Sequence, residues 1–377
     1  MKSFQHENFQ QNKLDFERWM ERKLRSSRGK GSQRQQAIYQ VPVVVHIIHN
    51  GEAIGSGTNI SDAQVLSQIS VLNKDYQRAN ADAANTPIEF QSLAGSMDVE
   101  FVLAKQDPEG LASSGIVRVQ GSKSVWSIND NYELKALSYW PAEDYLNIWV
   151  CNITGLLGYA QFPVSGLPGL ENSSNNRLTD GIVIAYNAFG SEDDGPFNLI
   201  NKYKKGRTTT HEVGHFFGLR HVWGDDDGQC DGSDYVNDTP NQGDQSSGCP
   251  SYPQVSCGVS TMFQNFLDYT DDGCMNLFTA GQVGRMITVL ENSPRRASLL
   301  SSHGLNEPLP ASNDLGIREI TSPLAGECSN DIIPVIEVKN YGINTVSSAT
   351  IDVLIDANIV ETKTFTISPP LATMASG

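Results

Sequence analysis

The sequence predicts an α+β fold with a mixed, mostly parallel sheet above an irregular, disulfide-braced lower half. Three observations lead to this prediction. Apolar runs rich in β-branched residues, typical of buried strands, recur with long segments between them at residues 40–48, 99–103, 146–151 and 181–186. Four of the six cysteines lie at residues 230–274, where the chain has no hydrophobic periodicity. After residue 302 the sequence alternates in strand fashion, which adds a partial β-sandwich at the C-terminal end.

Two helices are expected to lie behind this sheet. Residues 61–64, Ser-Asp-Ala-Gln, have the form of a capping box and open a helix that extends to about Asn80. Residues 208–210 lead into a second helix, which is expected to end at Gly218. This second helix carries the most informative motif of the chain.

Residues 211–221 read His-Glu-Val-Gly-His-Phe-Phe-Gly-Leu-Arg-His. On a helix, His211 and His215 project from one face, one turn apart, so both imidazoles can bind one Zn²⁺ ion. Gly218 can adopt the positive φ that ends the helix and turns the chain, which brings His221 to the same ion. Three histidines leave a fourth position open, as in catalytic zinc sites. Glu212 is a neighbour rather than a ligand and can serve as the general base.

The shorter pattern His-Glu-x-x-His also occurs on helices that simply carry two surface histidines. The extended pattern, with Gly218 and His221 at fixed spacing, is much rarer by chance and favours the zinc site. The motif therefore predicts metal-assisted hydrolysis of an amide bond.

Charge and hydropathy argue against two classes of protein. The chain has 27 Lys and Arg against 43 Asp and Glu, a formal net charge of −16, which argues against a nucleic-acid partner. No run approaches the roughly 18 apolar residues of a membrane span. The first residues lack the apolar region of a secretory signal, so a signal is expected to be absent or already removed.

The motif and its flanks resemble a known family. Residues 211–221 match the metzincin pattern His-Glu-x-x-His-x-x-Gly-x-x-His. Over about residues 35–300 the chain is similar to the pappalysins, especially their small bacterial ulilysin-like and cytophagalysin-like members, at residues 42–46, 157–163, 238–240 and 271–275. The resemblance implies a metzincin-like zinc endopeptidase, secreted or on the cell surface, that contains structural calcium and acts on proteins or peptides.

The resemblance also implies roles for two other segments. A Met-turn methionine forms a hydrophobic floor under the zinc of metzincins, and Met275 is the candidate here, although such a methionine is more often plain core packing. A sheet edge above the cleft binds substrate as an added antiparallel strand, and the matching residues are Gly158, Tyr159, Ala160 and Gln161. Taken as bare sequence, that segment could equally be an ordinary loop.

The clustered cysteines could form a second zinc site or disulfides. Their spacings lack the close Cys-x-x-Cys pairs of structural zinc sites, so disulfides are favoured, but spacing cannot choose among three pairings. The family resemblance favours Cys230 with Cys257 and Cys249 with Cys274. Cys151 ends an apolar run and is expected to be a buried thiol.

Residues 224–248 are acidic and rich in glycine. Such a run is most often a solvated loop, yet carboxylate and carbonyl oxygens are also the ligands that Ca²⁺ prefers. The spacing excludes an EF-hand. The stretch resembles the calcium loop of the family, which implies Asp234 and Thr239 as ligands, with the Gly232 carbonyl and Asp238 as further candidates.

The predicted domains are an N-terminal basic segment (1–36), the catalytic domain (37–302), and a linker with a partial immunoglobulin-like β module (303–377). Residues 1–36 carry nine Lys or Arg against four Asp or Glu, and Phe16 and Met20 begin an apolar helical stripe. We expect either a zymogen pro-segment that covers the cleft or an ordinary docked helix. A blocking group would be Glu7, Asp15 or simple steric cover.

The expected reaction is hydrolysis of peptide bonds, with Glu212 taking the proton of a zinc-activated water and passing it to the departing amine. Relatives that prefer Arg or Lys place an acid where this chain has Gly281, so a preference for basic residues stays open. Leu277 stands where many metzincins have a tyrosine that stabilises the transition state.

Two alternatives to a peptidase compete with this prediction. The first is a catalytically idle adhesion or binding module, against which the intact Glu212 argues, because a site that only binds needs no base. The second is a zinc hydrolase that acts on bonds other than peptides. The sequence makes no prediction of oligomeric state.

Overall fold

The computed structural model describes residues 2–27, 38–163, 177–225, 228–308, 311–322, 333–355, 358–373 and 375–376. The α-helices in these ranges are α1 (Lys2–Ser27), α2 (Asp62–Tyr76), α3 (Ile88–Gln91), α4 (Asn131–Ala136), α5 (Arg207–Phe216) and α6 (Ala280–Asn292). The strands are β1 (Tyr39–His49), β2 (Ala94–Gly95), β3 (Val99–Leu103), β4 (Ile116–Gln120), β5 (Leu146–Cys151), β6 (Gly158–Ala160), β7 (Ile182–Ala185), β8 (Val255–Ser256), β9 (Val259–Ser260), β10 (Phe278–Thr279), β11 (Leu315–Ser322), β12 (Val335–Asn340), β13 (Val346–Ile355) and β14 (Asn358–Leu371). Among the described helices, none combines the length and apolar character needed to cross a membrane.

Six strands form the central sheet in the order β3, β1, β5, β7, β6, with β4 also paired to β1. Strand β1 runs parallel to β3, β4 and β5, and β5 runs parallel to β7. Strand β6 runs antiparallel to β7 and forms an edge of the sheet. The predicted mixed, mostly parallel sheet is confirmed.

Both faces of the sheet are buried, which explains why its strands read as unbroken apolar runs. On one face, Val43 and Val45 of β1 belong to the main core together with Leu72 of α2 and Val213 of α5. On the other face, Val44 packs against Tyr145. Helices α2 and α5 therefore lie on the same side of the sheet, as predicted.

Helix α2 begins at the predicted capping residue. The Ser61 side chain accepts a hydrogen bond from the Gln64 amide. The helix ends at Tyr76, earlier than the predicted end near Asn80, because Arg78 takes a positive φ of 52° that the helix cannot continue through.

Helix α5 starts before the predicted residues 208–210, which lie inside it rather than leading into it. The Asp272 carboxylate accepts a hydrogen bond from the Arg207 amide at 3.1 Å, so the first turn has a partner from another segment. The helix ends at Phe216, and Gly218 takes a φ of 85° just beyond it. The predicted turn at Gly218 is confirmed.

The sequence analysis did not predict strand β4. Of its residues, Ile-Val-Arg-Val-Gln, the first four are half-buried and Gln120 is exposed, and the charge at Arg118 interrupts the apolar pattern. Arg118 lies on the sheet because its guanidinium donates to the Asp62 carboxylate at 2.7 Å and to the Ile60 carbonyl at 2.9 Å. A polar residue with partners is thus accommodated in a strand that periodicity alone does not indicate.

The lower half, residues 228–279, is irregular in the part that the structure describes. It contains the two-residue strands β8, β9 and β10 and one short 3₁₀ turn, Asp272–Cys274. Two disulfides, Cys230–Cys257 and Cys249–Cys274, cross-link it. Cys151 is a free, buried thiol in β5.

The C-terminal part forms two antiparallel pairs, β11 with β12 and β13 with β14. The strands predicted at residues 332–339 and 349–355 correspond to β12 and β13, with residue 332 outside the described ranges. Arg318 of β11 pairs with Asp62, at the start of α2, at 3.0 Å. This pair joins the C-terminal part to the sheet layer.

Candidate active site

Three histidines converge at the end of α5. His215 lies between the other two, with its Nε2 atom 3.0 Å from Nε2 of His211 and 3.1 Å from Nε2 of His221. Among the described residues these three form a cluster whose ligand atoms all lie within 4.8 Å of one another. The helix supplies the first two, and the glycine turn supplies the third, as the motif predicts.

The other ring nitrogen of each histidine already has a partner. Nδ1 of His211 lies 2.8 Å from the Phe266 carbonyl, and Nδ1 of His215 lies 2.8 Å from the Leu219 carbonyl. Since a carbonyl can only accept, each Nδ1 carries the hydrogen and each Nε2 keeps its lone pair. Burial, reinforced by the neighbouring His221, lowers the pKa of His215 to about 3. Neutral imidazoles with converging lone pairs fit a divalent cation such as Zn²⁺.

The third histidine is held from three sides. Its ring stacks on Trp223 with centroids 4.2 Å apart and meets the edge of Tyr269 at 4.9 Å. Its Nδ1 atom lies 2.6 Å from the Asp225 carboxylate. A Cβ atom on Gly218 would lie 2.9 Å from Val289, so the turn that delivers His221 requires glycine for space as well as for φ.

Glu212 lines a cavity of about 570 Å³ beside the histidines. Its side chain is buried, and burial raises its pKa to about 8. The cavity also exposes Tyr269, whose pKa is raised to about 12 by burial and by the charge of Glu212. A basic carboxylate and a phenol therefore face the same space.

The edge strand β6 forms the rim of this cavity at Gly158. The Ala185 amide donates to the Leu157 carbonyl, and the Gln161 amide donates to the Gly181 carbonyl. The backbone hydrogen-bonding groups of Leu157 and Gln161 therefore face β7. Along an antiparallel strand, residues whose amide and carbonyl face the partner strand alternate with residues whose amide and carbonyl face away. The amide and carbonyl of Gly158 and of Ala160 therefore point away from β7. A Cβ atom on Gly158 would lie 3.0 Å from Cγ of Glu212, so the strand passes directly over the base.

Two apolar side chains, Leu267 and Met275, lie close to α5. Leu267 packs against the helix between the first two ligands, since a Cβ atom on Gly214 would lie 2.9 Å from its Cδ2 atom. Met275 lines the cavity, and its carbonyl accepts a hydrogen bond from Arg207 at the start of α5. Met275 thus faces the same cavity as His211 and Glu212, and its role as a hydrophobic floor under a bound zinc ion stays a prediction.

Two further groups of the cavity wall were not predicted from the sequence. Tyr269 supplies a phenol from a position before Met275, whereas the expected tyrosine position after it, Leu277, is buried in another cluster. Asp268 and Asp272 line the cavity as well. The run Asp-Tyr-Thr-Asp-Asp at 268–272 was the available signal, since acidic residues next to a tyrosine are unusual in a buried segment.

The expected calcium residues separate into two groups. Asp234 is buried and accepts a hydrogen bond from the Thr239 hydroxyl at 2.8 Å, so these two lie together. Burial raises the pKa of Asp234 to about 7. Asp238 instead accepts hydrogen bonds from Thr279 and from the Gly281 amide, so it caps α6. Gly232 packs against Gly224, because a Cβ atom on Gly224 would lie 2.7 Å from the carbonyl carbon of Gly232.

Helix α1 docks beside the turn that carries the third histidine. Phe16 packs against Phe162 with ring centroids 5.1 Å apart. Glu17 is buried and pairs with Arg220 at 2.9 Å and with Arg285 at 2.6 Å. The helix is therefore anchored by a carboxylate that accepts from two guanidinium groups.

The expected blocking groups of this segment do not lie in the cleft as far as the structure describes them. Asp15 pairs with Arg18 at 3.1 Å on the helix surface, and the Glu7 side chain falls outside the described residues. None of the described side chains of α1 lines the cavity. Glu17, which the sequence analysis did not single out, is the acidic residue that α1 buries.

Three converging imidazoles, a buried carboxylate beside them and a sheet edge above them define a zinc-dependent metalloprotease. The model of the peptidase M43 family, described as pregnancy-associated plasma protein-A, matches residues 130–291. An extracellular metalloprotease of Arthroderma gypseum is 34% identical over 250 residues, which cover 64% of this chain and 69% of that protein. The chain belongs to this family, the pappalysins.

Solved structures agree with this assignment. Tannerella forsythia mature mirolysin in complex with a cleaved peptide is 46% identical, with a TM-score of 0.62, and the match covers 70% of this chain and 96% of that one. A mutant of Tannerella forsythia promirolysin is 42% identical, with a TM-score of 0.66, and the match covers 77% and 91%. The fold predicted from the metzincin resemblance is confirmed.

Proposed function

We propose that this chain is a secreted endopeptidase that hydrolyses peptide bonds with zinc held by His211, His215 and His221 and with Glu212 as general base and acid. The observation that carries the proposal is the orientation of the imidazoles, whose Nδ1 atoms are occupied while their Nε2 atoms converge beside Glu212. The disulfides and the extracellular relatives support secretion.

Zn²⁺ bound by these ligands supplies Lewis acidity towards a carbonyl and lowers the pKa of water. Glu212 acts next to it as the proton carrier. A carboxylate whose pKa is raised to about 8 is basic enough to take a proton from water and acidic enough to return it to the leaving amine. Tyr269 faces the same cavity and can donate a hydrogen bond to the developing oxyanion.

The substrate would bind as an extended strand along β6. Gly158 and Ala160 direct their peptide groups away from β7, so a peptide can pair with them in antiparallel fashion. The cleaved peptide bound to mirolysin supports the same class of substrate for this chain. Pairing through the backbone places the scissile bond over Glu212 with little dependence on side chains.

Specificity for Lys or Arg would come from the cavity wall rather than from position 281. Gly281 lies against the Asp238 carboxylate, and neither residue is among those that line the cavity. Asp272 does line the wall, and burial raises its pKa to about 6. Arg207, in the same wall, is already paired with other carboxylates, so a cationic substrate side chain would meet the acidic group as its partner.

The remaining proposals concern the other parts of the chain. Residues 37–302 would form the catalytic domain, residues 1–36 a pro-segment anchored through Glu17, and residues 303–377 an accessory β module. A structural calcium ion would bind at Asp234 and Thr239, because a buried carboxylate without a cation partner within ion-pair distance among the described residues gains most from an added cation. Asp238 and Gly232 would contribute less.

Cleavage of a mixed peptide library tests the function. The chain and its Glu212→Ala variant are compared at equal zinc content, with Glu192→Ala as control because Glu192 is an acidic residue on the surface, paired with Lys204. We expect cuts by the wild type and by the control, mainly next to Lys or Arg, and a loss of about 10²- to 10⁴-fold in the Glu212 variant. Full activity without Glu212, or no cleavage after removal of residues 1–36, would contradict the proposal.

A further inference from the structure

The edge strand is short, and it needs support on the side away from the substrate. Only Gly158–Ala160 are in strand conformation, and they pair with one neighbour, β7. A three-residue strand with one partner has few hydrogen bonds to hold it in place. The side chains of Tyr159 and Gln161 supply further hydrogen bonds that hold it over Glu212.

A buried lysine lies behind Tyr159. Lys135 of α4 is 1% exposed, and its Nζ atom lies 4.9 Å from the centre of the Trp149 ring and 5.2 Å from the centre of the Tyr159 ring. Its amino group donates to the Thr179 carbonyl at 2.6 Å, and burial lowers its pKa to about 7. Asp180, the acid whose charge acts on Lys135, is ion-paired with Arg295 and Arg296. Within the described ranges, the lysine thus interacts with two ring faces and a carbonyl but forms no ion pair with a carboxylate.

The same group of residues anchors the middle of the strand and the residue that follows it. The Tyr159 hydroxyl donates to the Asn131 side chain at 3.0 Å, one turn before the lysine on α4. The Thr179 hydroxyl donates to the Gln161 side chain at 2.8 Å. Because Lys135 contacts both Tyr159 and Thr179, it connects the two anchors. Burial of an amine costs free energy, so a lysine that only filled space would be replaced by methionine without loss.

We propose that Lys135 is a positioning residue for substrate binding, which holds Tyr159 and Thr179 so that the peptide groups of Gly158 and Ala160 face the substrate. The proposal rests on the function proposed above, because it assumes that a peptide pairs with this edge. Lys135 itself touches neither the substrate nor the histidines. Its effect is therefore expected in substrate affinity rather than in the chemical step.

The first test is kinetic. Lys135→Met keeps the length and burial of the side chain and removes the ammonium group. For a peptide long enough to pair along β6 we expect KM to rise about tenfold with kcat nearly unchanged, the loss of one hydrogen bond from a charged donor. For a short peptide that spans little more than the scissile bond, KM should not change. Equal effects on both peptides, or a fall in kcat alone, would overturn the proposal.

The second test does not depend on activity. Hydrogen–deuterium exchange of the amides of Tyr159 and Gln161 should accelerate about tenfold in Lys135→Met, while the amides of α5 stay protected. Unchanged exchange at both amides would overturn the proposal, even if the protein proved to have no peptidase activity. Tyr159→Phe provides a milder variant, should Lys135→Met fail to fold, and should raise KM for the long peptide only.

Lys123→Met is the matched control. Lys123 also lies over a tryptophan, with Nζ 5.4 Å from the centre of the Trp126 ring, but it is partly exposed and pairs with Asp130. Its partners among the described residues are Asp130, Glu133 and Trp126, none of which belongs to the edge strand. We expect no change in KM or in exchange at residues 159–161. A KM effect as large as that of Lys135→Met would attribute the result to the loss of positive charge and overturn the proposal.

Discussion

The sheet layer and the irregular lower half of this protein are stabilised by different interactions. In the sheet, a parallel ladder and apolar contacts on both faces hold β1 and its neighbours. In the lower half, the Asp268 carboxylate accepts hydrogen bonds from the amides of Ser246 and Tyr269. Two disulfides cross-link the same half. Burial of apolar area is insensitive to pH, reductant and cations, whereas the carboxylates and disulfides are sensitive to all three. The active site lies where the two halves meet.

Removing both disulfides should have the largest effect. Each closes a loop, with sequence separations of 27 and 25, and should contribute about 3 kcal/mol to the free energy of unfolding. Replacing all four cysteines with serine should therefore cost about 6 kcal/mol in denaturant titrations. Cys151→Ala in β5 is the control and should cost about 1 kcal/mol. If Cys151→Ala lowers the free energy of unfolding as much as the loss of both disulfides does, the lower half is not more dependent on cysteine than the sheet layer.

The pH dependence of stability should depend on Asp234 in the lower half. Its pKa rises from 3.8 to about 7 on folding, so the folded state binds the proton more tightly. The stabilisation is complete below pH 4 and is lost as the pH rises through 7, by at most about 4 kcal/mol. Asp234→Asn should lack this loss, and Ca²⁺ at pH 8 should restore stability to the wild type only. A calcium effect of equal size in the variant would contradict the proposed site.

The three histidines should differ in how far they depend on a side-chain carboxylate. His211 and His215 donate to backbone carbonyls, whereas His221 relies on the Asp225 carboxylate. Asp225→Ala should weaken zinc binding about 10- to 100-fold in competition with a chelator. Asp231→Ala, which removes an exposed acid of the same loop, should leave zinc affinity unchanged. Equal losses in both variants would mean that only the total charge matters.

The helix caps give the smallest contrast. Ser61 caps α2 in the sheet layer by one hydrogen bond from Gln64. Thr279 caps α6, accepts from Gln282 and also donates to Asp238. Ser61→Ala should lower the free energy of unfolding by about 1 kcal/mol, and Thr279→Ala by about 2 kcal/mol. Thermal melts of both variants measure the difference, and a larger loss at Ser61 would reverse the comparison.

Hydrophobic periodicity was sufficient to predict most of the sheet. Strands β1, β3, β5 and β7 correspond to apolar runs because both faces of a parallel sheet are buried. It failed for β4, where Arg118 interrupts the run and is accommodated only through Asp62. A charged residue whose partner lies 56 positions away cannot be assigned to a strand from local sequence.

The site was predictable where chemistry fixes the spacing. The distances between His211, His215 and Glu212 follow from helix geometry, and the turn at Gly218 follows from its φ. The side chains that pack around this turn do not follow from spacing, because a contact such as that of Leu267 with Gly214 depends on tertiary packing. Tyr269 was missed for the same reason, since its place in the cavity depends on how the lower half folds back.

The alternation of peptide groups along β6 limits how a bound chain could move. A substrate shifted by one residue would turn its hydrogen-bonding groups away from Gly158 and Ala160, so movement along the edge can occur only in steps of two residues. Successive cuts in an extended polypeptide would then fall on alternate bonds of one parity, unless the chain first dissociates. The sheet edge thus acts as a ruler for the cleavage register, independent of which side chains the cavity accepts.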